Sequence, residues 1–537
     1  MNVERTSSSL RPGTVAGGGP VRLAGTRLVA LAGRHRLFTA LFLAGVLLRV
    51  LTTMAYWPAI EFVQDSFDYL FDARRLEPGI IRPFGYPLFL RVLSVSGQLA
   101  AVPIAQHVLG LALAVLVYAL VRRLGARPGL AAIAAAPVLL DPYQVHLEHY
   151  LMAETLFEAL VVGALALLVW QERPSPAACA GAGLALAAAA LTRTAGLFLL
   201  LPAIAFLVVR RVGWLRLACA AGAVVALLTL YMTWFHSVHG RFAIGSYEGY
   251  FFAGRVAPFA DCTRMPVPPE ERYLCDDRPP DRRLGSDWYI WNPESPLRRK
   301  DVPPGTDRNA LAGSFARRAV RSHTKDYVRL VLSDLAHYFA PGRHTGRTDY
   351  PVQNWQFQTS YDPEPWKPEY PPADPYVYQW TWPGRAVQYN TTLARHGFHF
   401  ERVRPRFHAG IARALHEYQE RVYTPGPALG LFAALGLLAG VGRLPTGLRR
   451  LRWSAALFTA TGLMMFLAAA TTATFDYRYL VPTLPLLGPA GALGIVLLGE
   501  RLAERGRAAP PPEDPQSPRR ASPLPVAGAV AHEAEEL

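Results

Sequence analysis

With 537 residues, 51% of them hydrophobic, and a formal net charge of +15, the chain has the composition of either a large soluble enzyme or a polytopic membrane protein. Its apolar residues come in membrane-length blocks, which decides for the second. The positive charge gathers in the turns between those blocks, so nucleic-acid binding is an unnecessary reading of it.

Residues 1–36 are rich in Ser, Gly and Arg and lack a small-residue cleavage site after a short apolar core. They read as a disordered basic tail, and the first span as an uncleaved anchor. Blocks long enough for a helix to cross about 30 Å of hydrocarbon predict about ten spans, at 37–57, 101–121, 128–141, 150–170, 176–191, 194–210, 214–236, 426–442, 453–473 and 478–499. The third, fifth and sixth are the weakest, being short or interrupted. Arg22, Arg27, Arg34 and Arg36 precede the first span, and Arg122, Arg123 and Arg127 follow the second. Arg210, Arg211 and Arg216, then Arg443, Arg449, Arg450 and Arg452, and finally Arg501, Arg505 and Arg507 fall on the same side of a ten-span chain. By the positive-inside rule that side is the cytoplasm, which holds both termini. The expected fold class is mainly α, a polytopic transmembrane bundle in the plasma membrane. Its expected parts are a core at 37–236, a large extracytoplasmic insertion of helical and irregular structure at 237–425, further transmembrane helices at 426–500 and a disordered cytoplasmic tail at 501–537.

The first outer loop, 58–100, contains Asp65, Asp68, Asp72, Arg74, Arg75 and Arg82 among aromatic residues, and such a segment cannot lie in hydrocarbon. Three-residue spacing puts Asp65 and Asp68 on one helical face, where they can share a cation or act as a base and its orienting partner; the plain alternative is a solvated helix. Arg49, inside the first span, either faces the same cavity or pairs with a neighbouring helix. The second outer loop, from Asp141 to Tyr150, offers His146, Glu148 and His149, followed by Glu154, but not the His-Glu-x-x-His pattern of zinc proteases. Within the insertion, apolar positions at helical spacing predict one or two amphipathic helices over 308–340, lying against the membrane domain. Much of the rest is irregular because prolines remove donors. Tyr247, Tyr250, Trp288, Trp291, Trp355 and Trp380 either stack on sugar rings or form the core of this domain. Cys179 and Cys219 fall within spans, whereas Cys262 and Cys275 share the outer insertion and are expected to form a disulfide.

Asp65-Ser66-Phe67-Asp68-Tyr69, followed by Arg82-Pro83-Phe84-Gly85-Tyr86-Pro87-Leu88, resembles the first outer loop of the GT-C membrane glycosyltransferases. More narrowly, it is similar to the branch that contains protein O-mannosyltransferases and the aminoarabinose transferase of lipid A, where an Asp-Glu-x-x-Tyr element and then Pro-Pro-Leu or Gly-Tyr-Pro-Leu follow the first span. Met152-Ala153-Glu154-Thr155-Leu156-Phe157, Leu191-Thr192-Arg193 and Asp476-Tyr477-Arg478-Tyr479-Leu480-Val481-Pro482 fit at later points. The resemblance implies transfer of a hexosyl or pentosyl group from a polyprenyl-phosphate carrier to a hydroxyl on the outer face, the acceptor being a cell-envelope glycan, a glycolipid or a protein. It implies catalytic roles for Asp65, the expected general base, Asp68 and Glu154. Binding of donor and lipid phosphate is implied for Tyr69, Arg82, Tyr86, Arg193 and Arg478. Ser66 stands where the family commonly has Glu, which puts metal dependence in question. If a divalent cation such as magnesium or manganese binds, Asp65, Asp68, His146 and His149 are its candidate ligands. Two other functions compete: a GT-C scaffold that assembles or binds cell-envelope components without catalysis, and a transporter or flippase. The latter calls for charges at the bilayer midplane, whereas the polar residues here gather at span ends.

Overall fold

The structure is a computed structural model that describes residues 33, 35–292, 294–298, 305–360, 406–440 and 448–508. Of the tails expected at 1–36 and 501–537, residues 1–32, 34 and 509–537 lie outside the described residues, as does Trp380, whereas 501–508 are helical and not a disordered tail. In chain order come α1 (Arg36–Ala55), α2 (Val63–Arg75), α3 (Gly85–Leu93), α4 (Ala101–Arg123), α5 (Pro128–Leu140), α6 (Pro142–His149), α7 (Glu154–Val169), α8 (Pro176–Thr192), α9 (Leu200–Val209) and α10 (Trp214–His239). The insertion contributes α11 (Glu248–Val256), α12 (Ser286–Trp291), α13 (Arg308–Ser322), α14 (Thr324–Tyr338) and α15 (Ala409–Arg421). Helices α16 (Gly426–Gly440), α17 (Arg449–Thr472) and α18 (Leu484–Ala508) close the chain.

Each of the ten predicted spans falls on a helix. Among the described residues, five helical stretches are long and apolar enough to cross a membrane: Arg36–Ala55, Ala101–Arg123, Trp214–His239, Arg449–Thr472 and Tyr477–Glu504. Two bent pairs, α5 with α6 at 47° and α15 with α16 at 52°, bring the number to seven if each is one span. The first bend has a local cause. Pro142 lacks an N–H and drives the preceding residue out of the helical region, and the Asp141 carboxylate then caps the new helix by accepting from Tyr143 N at 2.9 Å. The other Asp141 oxygen accepts from Thr424 N at 2.8 Å, so one side chain secures both breaks.

A collar of arginines marks one end of the bundle. Arg123 and Arg450 donate to the Trp170 carbonyl, Arg210 to Glu172 O and Arg216 to Pro174 O. The turns predicted to share one side therefore meet around the 169–174 turn. The candidate outer loops lie at the opposite ends of α4, α7 and α8.

Between the two ends runs a buried polar network. Arg49 Nε and Nη2 make a bidentate pair with the Glu148 carboxylate at 2.8 and 2.7 Å, and its remaining donors go to the carbonyls of Gly45, Leu139 and Val138. His107 Nδ1 lies 2.9 Å from Glu148 Oε2, and its Nε2 lies 3.1 Å from His149 Nδ1. Only glycine fits at position 110, because a Cβ there would overlap the Glu148 carboxylate. Of the two alternatives open to Arg49, it takes the pairing with a neighbouring helix.

The insertion is seated on the bundle. The 308–340 stretch forms two helices, α13 and α14, and α14 rests on the end of α17 through Tyr327 Oη, which donates to Thr471 O at 3.0 Å. A buried Arg255–Asp334 pair at 2.6 Å, with Arg255 also donating to Ala470 O at 2.6 Å, ties α11 and α14 to the same end. The expected Cys262–Cys275 disulfide is present, and Cys179 and Cys219 are free. Near the site, β1 (Tyr56–Trp57) pairs antiparallel with β2 (Arg406–Phe407), joining the end of α1 to the end of the insertion.

Truncating Glu148 to alanine leaves the Arg49 guanidinium buried without its counter-charge, a change that costs about 3–5 kcal/mol in comparable buried pairs. The Glu148→Ala protein is therefore expected to unfold at a markedly lower temperature in detergent. An unchanged thermal midpoint would show that water reaches Arg49.

Candidate functional site

The loop after α1 is strapped to the segment before α7 by paired backbone bonds, Ile60 N to His149 O at 3.1 Å and Leu151 N to Ile60 O at 2.9 Å. Ser66 completes the strap. Its hydroxyl accepts from Phe62 N at 2.8 Å and donates to Leu151 O at 2.9 Å, so it anchors the start of α2. This clamp sets Asp65, in the first turn of α2, close to Glu154 at the start of α7.

Three arginines from distant parts of the chain meet these carboxylates. Arg82 Nη2 donates to Asp65 Oδ1 at 2.7 Å, and Arg478 Nη1 donates to Asp65 Oδ2 at 3.2 Å. Arg193 donates to Glu154 Oε1, which also lies 3.6 Å from Arg478 Nε. Burial alone would push the Asp65 carboxyl up, but Arg82 and Arg478 together outweigh it and hold the group below the usual carboxylate range. Glu154 Oε2 is buried and without a hydrogen-bond partner, an acceptor open to a ligand.

Aromatic rings wall the cluster. The Arg478 guanidinium carbon lies 5.4 Å from the Phe62 ring centre, 5.2 Å from that of Trp355 and 5.1 Å from that of Tyr479, and Arg193 lies 5.5 Å from Tyr479. Asp476 sets the backbone of this turn: its Oδ1 accepts from Arg478 N at 2.8 Å and from Trp355 Nε1 at 2.7 Å. Trp355 thus belongs to the wall of the site and not to a separate domain core.

The other sequence candidates divide. Tyr69 is buried within electrostatic reach of Asp65, Arg82, Glu154 and Arg193. Tyr86 lies behind it at 4.8 Å between ring centres, with its hydroxyl committed to Gln106 Oε1 at 2.7 Å, which suits a supporting role. Asp68 lies one turn beyond Asp65, in the reach of Asp72 and Tyr247. His146 Nδ1 is bonded to Trp355 O at 3.0 Å, and His149 Nε2 to Tyr56 O at 2.8 Å.

These residues do not suit a divalent cation. Both Asp65 oxygens already accept from guanidinium groups, Ser66 is occupied with the backbone, and the histidines serve carbonyls. Among the described residues, no group of three or more His, Cys, Asp or Glu side chains is placed to hold a metal ion.

One residue near the cluster had no sequence signal. Asp287, at the start of α12 in the insertion, is half-buried and within electrostatic reach of Arg478, Asp65 and Arg82.

No protein-family model and no curated protein matches the chain. Among solved structures, it is similar to the Saccharomyces cerevisiae protein O-mannosyltransferase Pmt1-Pmt2 complex bound to the sugar donor, at 15% identity and a TM-score of 0.33, over 44% of this chain and 38% of that one. It is also similar to the Archaeoglobus fulgidus oligosaccharyltransferase AglB in complex with an inhibitory peptide and a dolichol-phosphate, at 13% identity and a TM-score of 0.37, over 88% of this chain and 51% of that one. A third is ArnT from Cupriavidus metallidurans bound to undecaprenyl phosphate, at 15% identity and a TM-score of 0.32, over 89% and 81% of the two chains. The chain thus spans well under two thirds of the first two.

Asp72, also on α2, supplies a pH test of how dry the loop is. Burial first, and then the neighbouring Asp68, push its carboxyl up to about 8. A folded-state value above the ordinary one favours the fold at low pH, and that contribution is lost as pH rises through about 8. Thermal midpoints are expected to fall between about pH 4 and 8 in the natural protein and to stay flatter in Asp72→Asn. Parallel curves for the two proteins would place Asp72 in water.

Proposed function

We propose that the chain is a membrane glycosyltransferase that moves a sugar from a polyprenyl-phosphate carrier to an acceptor hydroxyl on the extracytoplasmic face. The observation that carries this reading is the convergence of Arg82, Arg193 and Arg478 on Asp65 and Glu154 at the bundle end opposite the arginine collar. The same five residues carry the resemblance to GT-C enzymes in the sequence. By the positive-inside rule the collar marks the cytoplasmic side, which assigns the cluster and both outer loops to the other face.

The chemistry divides among these groups. The acceptor oxygen attacks the anomeric carbon, the bond from that carbon to the lipid phosphate breaks, and the acceptor proton passes to a carboxylate. The departing phosphate gains negative charge, and fixed guanidinium groups in a partly dry site stabilise it at little cost in reorganisation. Arg82 and Arg478 are held in position by Asp65, Arg193 by Glu154. A phosphate entering between them competes for donors that the carboxylates now occupy. Asp65, which the loop motif nominates, holds two of those guanidinium groups in place until the phosphate arrives.

A panel of donors tests the proposal. Purified protein is mixed with radiolabelled polyprenyl-phosphate mannose, arabinofuranose, glucose or N-acetylhexosamine and a cell-envelope extract. Transfer of label to acceptor is expected from one of them. Asp65→Asn is expected to abolish that transfer while the protein still inserts and purifies normally, and Arg478→Ala to lower turnover by about 10²–10³-fold. Donor bound without any transfer by the natural protein would instead favour a non-catalytic envelope-binding role.

A further inference from the structure

In the resting site, Asp65 is a poor candidate to receive a proton. Each of its oxygens accepts from a guanidinium group, and those pairs lower its basicity. A carboxylate with free oxygens within electrostatic reach of the same arginines would serve better, and the insertion brings one.

Two contacts seat α12 on the site. At its N-terminal side, Gly285 packs so closely on Thr348 O that a Cβ would not fit. Two residues beyond Thr348, Tyr350 N donates to Phe475 O at 2.9 Å, and the Tyr350 ring packs at 5.9 Å from Phe62 and 5.6 Å from Trp355, the rings that flank Arg478. At its other end, Trp291 lies 6.1 Å from Phe251, whose ring is 5.9 Å from the Arg82 guanidinium. The helix is therefore linked through Thr348 and Tyr350 to the rings beside Arg478 and through Phe251 to the Arg82 side, and Asp287, in its first turn, is within electrostatic reach of both arginines. Its mount is firm: Arg298 Nε donates to Ile290 O at 2.6 Å, Tyr289 Oη donates to Asp276, and Gly254 leaves no space for a Cβ beside Ile290.

We propose that Asp287 is the catalytic base of the transfer reaction, and that Asp65 is a positioning residue for Arg82 and Arg478. This rests on the glycosyltransferase reading above. No hydrogen bond or ion pair joins the Asp287 carboxylate to another described residue, and its half-buried position leaves it open to an entering acceptor. The charged and titratable groups around it are Arg478, Asp65, Arg82, Asp476 and Tyr350. Burial raises its carboxyl to about 6, against the opposing pull of Arg478, which keeps it ionised at neutral pH while making it a stronger base than an ordinary aspartate. In the step itself, the acceptor O–H bond breaks toward Asp287, the new C–O bond forms, and the electron pair of the old one leaves on the lipid phosphate beside the arginines.

The test compares natural protein, Asp287→Asn and Asp65→Asn in the donor-panel assay, with donor affinity measured separately. Asp287→Asn is expected to lose about 10²–10⁴-fold in kcat with donor affinity unchanged, and its residual rate to lack the acid limb near pH 6 seen in the natural protein. Asp65→Asn is expected to weaken donor binding as well. Asp287→Ser is the second variant, read in the same way should the first fail to fold. Full turnover in either Asp287 variant, an unchanged acid limb, or donor affinity lost in parallel with rate would overturn the role of Asp287 alone. No transfer by the natural protein from any donor would overturn the glycosyltransferase reading, and this inference with it.

Discussion

A guanidinium group withdrawn from water calls for a counter-charge beside it, and three such pairings join distant helices of this protein. Removing one partner of such a pair leaves a charge stranded in a poor solvent. Arg49 with Glu148 ties α1 to α6 in the bundle, Arg255 with Asp334 ties the insertion together over α17, and Arg82 with Arg478 ties both membrane halves to Asp65. Apart from Asp65 with Arg82, 17 positions apart, these pairs join segments far apart in the chain, so they select one arrangement of helices among many that would bury similar apolar area.

The pairs differ in what surrounds them. Arg49 has its donors satisfied by carboxylate and backbone, a closed network suited to stability. At the end opposite the arginine collar, Glu154 Oε2 and Arg478 Nε lack hydrogen-bond partners, and aromatic rings replace the backbone as the lining. A low-polarity wall strengthens every charge interaction within it and penalises every unmet one. That contrast separates a structural ion pair from one arranged to accept a ligand.

Much of this was legible in the sequence. The apolar blocks located the helices, although among the described residues only five to seven are long and apolar enough to span, and arginine placement foretold that the turns with Arg123, with Arg210 and Arg216, and with Arg450 meet. Asp65, Arg82, Glu154, Arg193 and Arg478 stood out because charge at a span end demands a reason. Asp287 gave no such signal: it lies in a proline-rich stretch without periodicity, and only the fold of the insertion brings it near the arginines. The metal ligands were misgrouped for a similar reason. His146 and His149 share a helix with regular spacing, but their partners are carbonyls of residues 355 and 56, which no local pattern reveals. Ser66, where a second acid was missing, anchors its own helix start instead.

The Asp65–Arg478 contact spans 413 positions of the chain. During synthesis at the membrane, the helices can enter one after another, and the outer insertion can fold and form its disulfide, well before Arg478 leaves the ribosome. Throughout that interval Asp65 and Glu154 stand near each other with only Arg82 and Arg193 to offset them. The last turn before α18 therefore completes the centre: until it is made, two arginines stand against two carboxylates, and Arg478 adds the third guanidinium group that gives the cluster positive charge to spare.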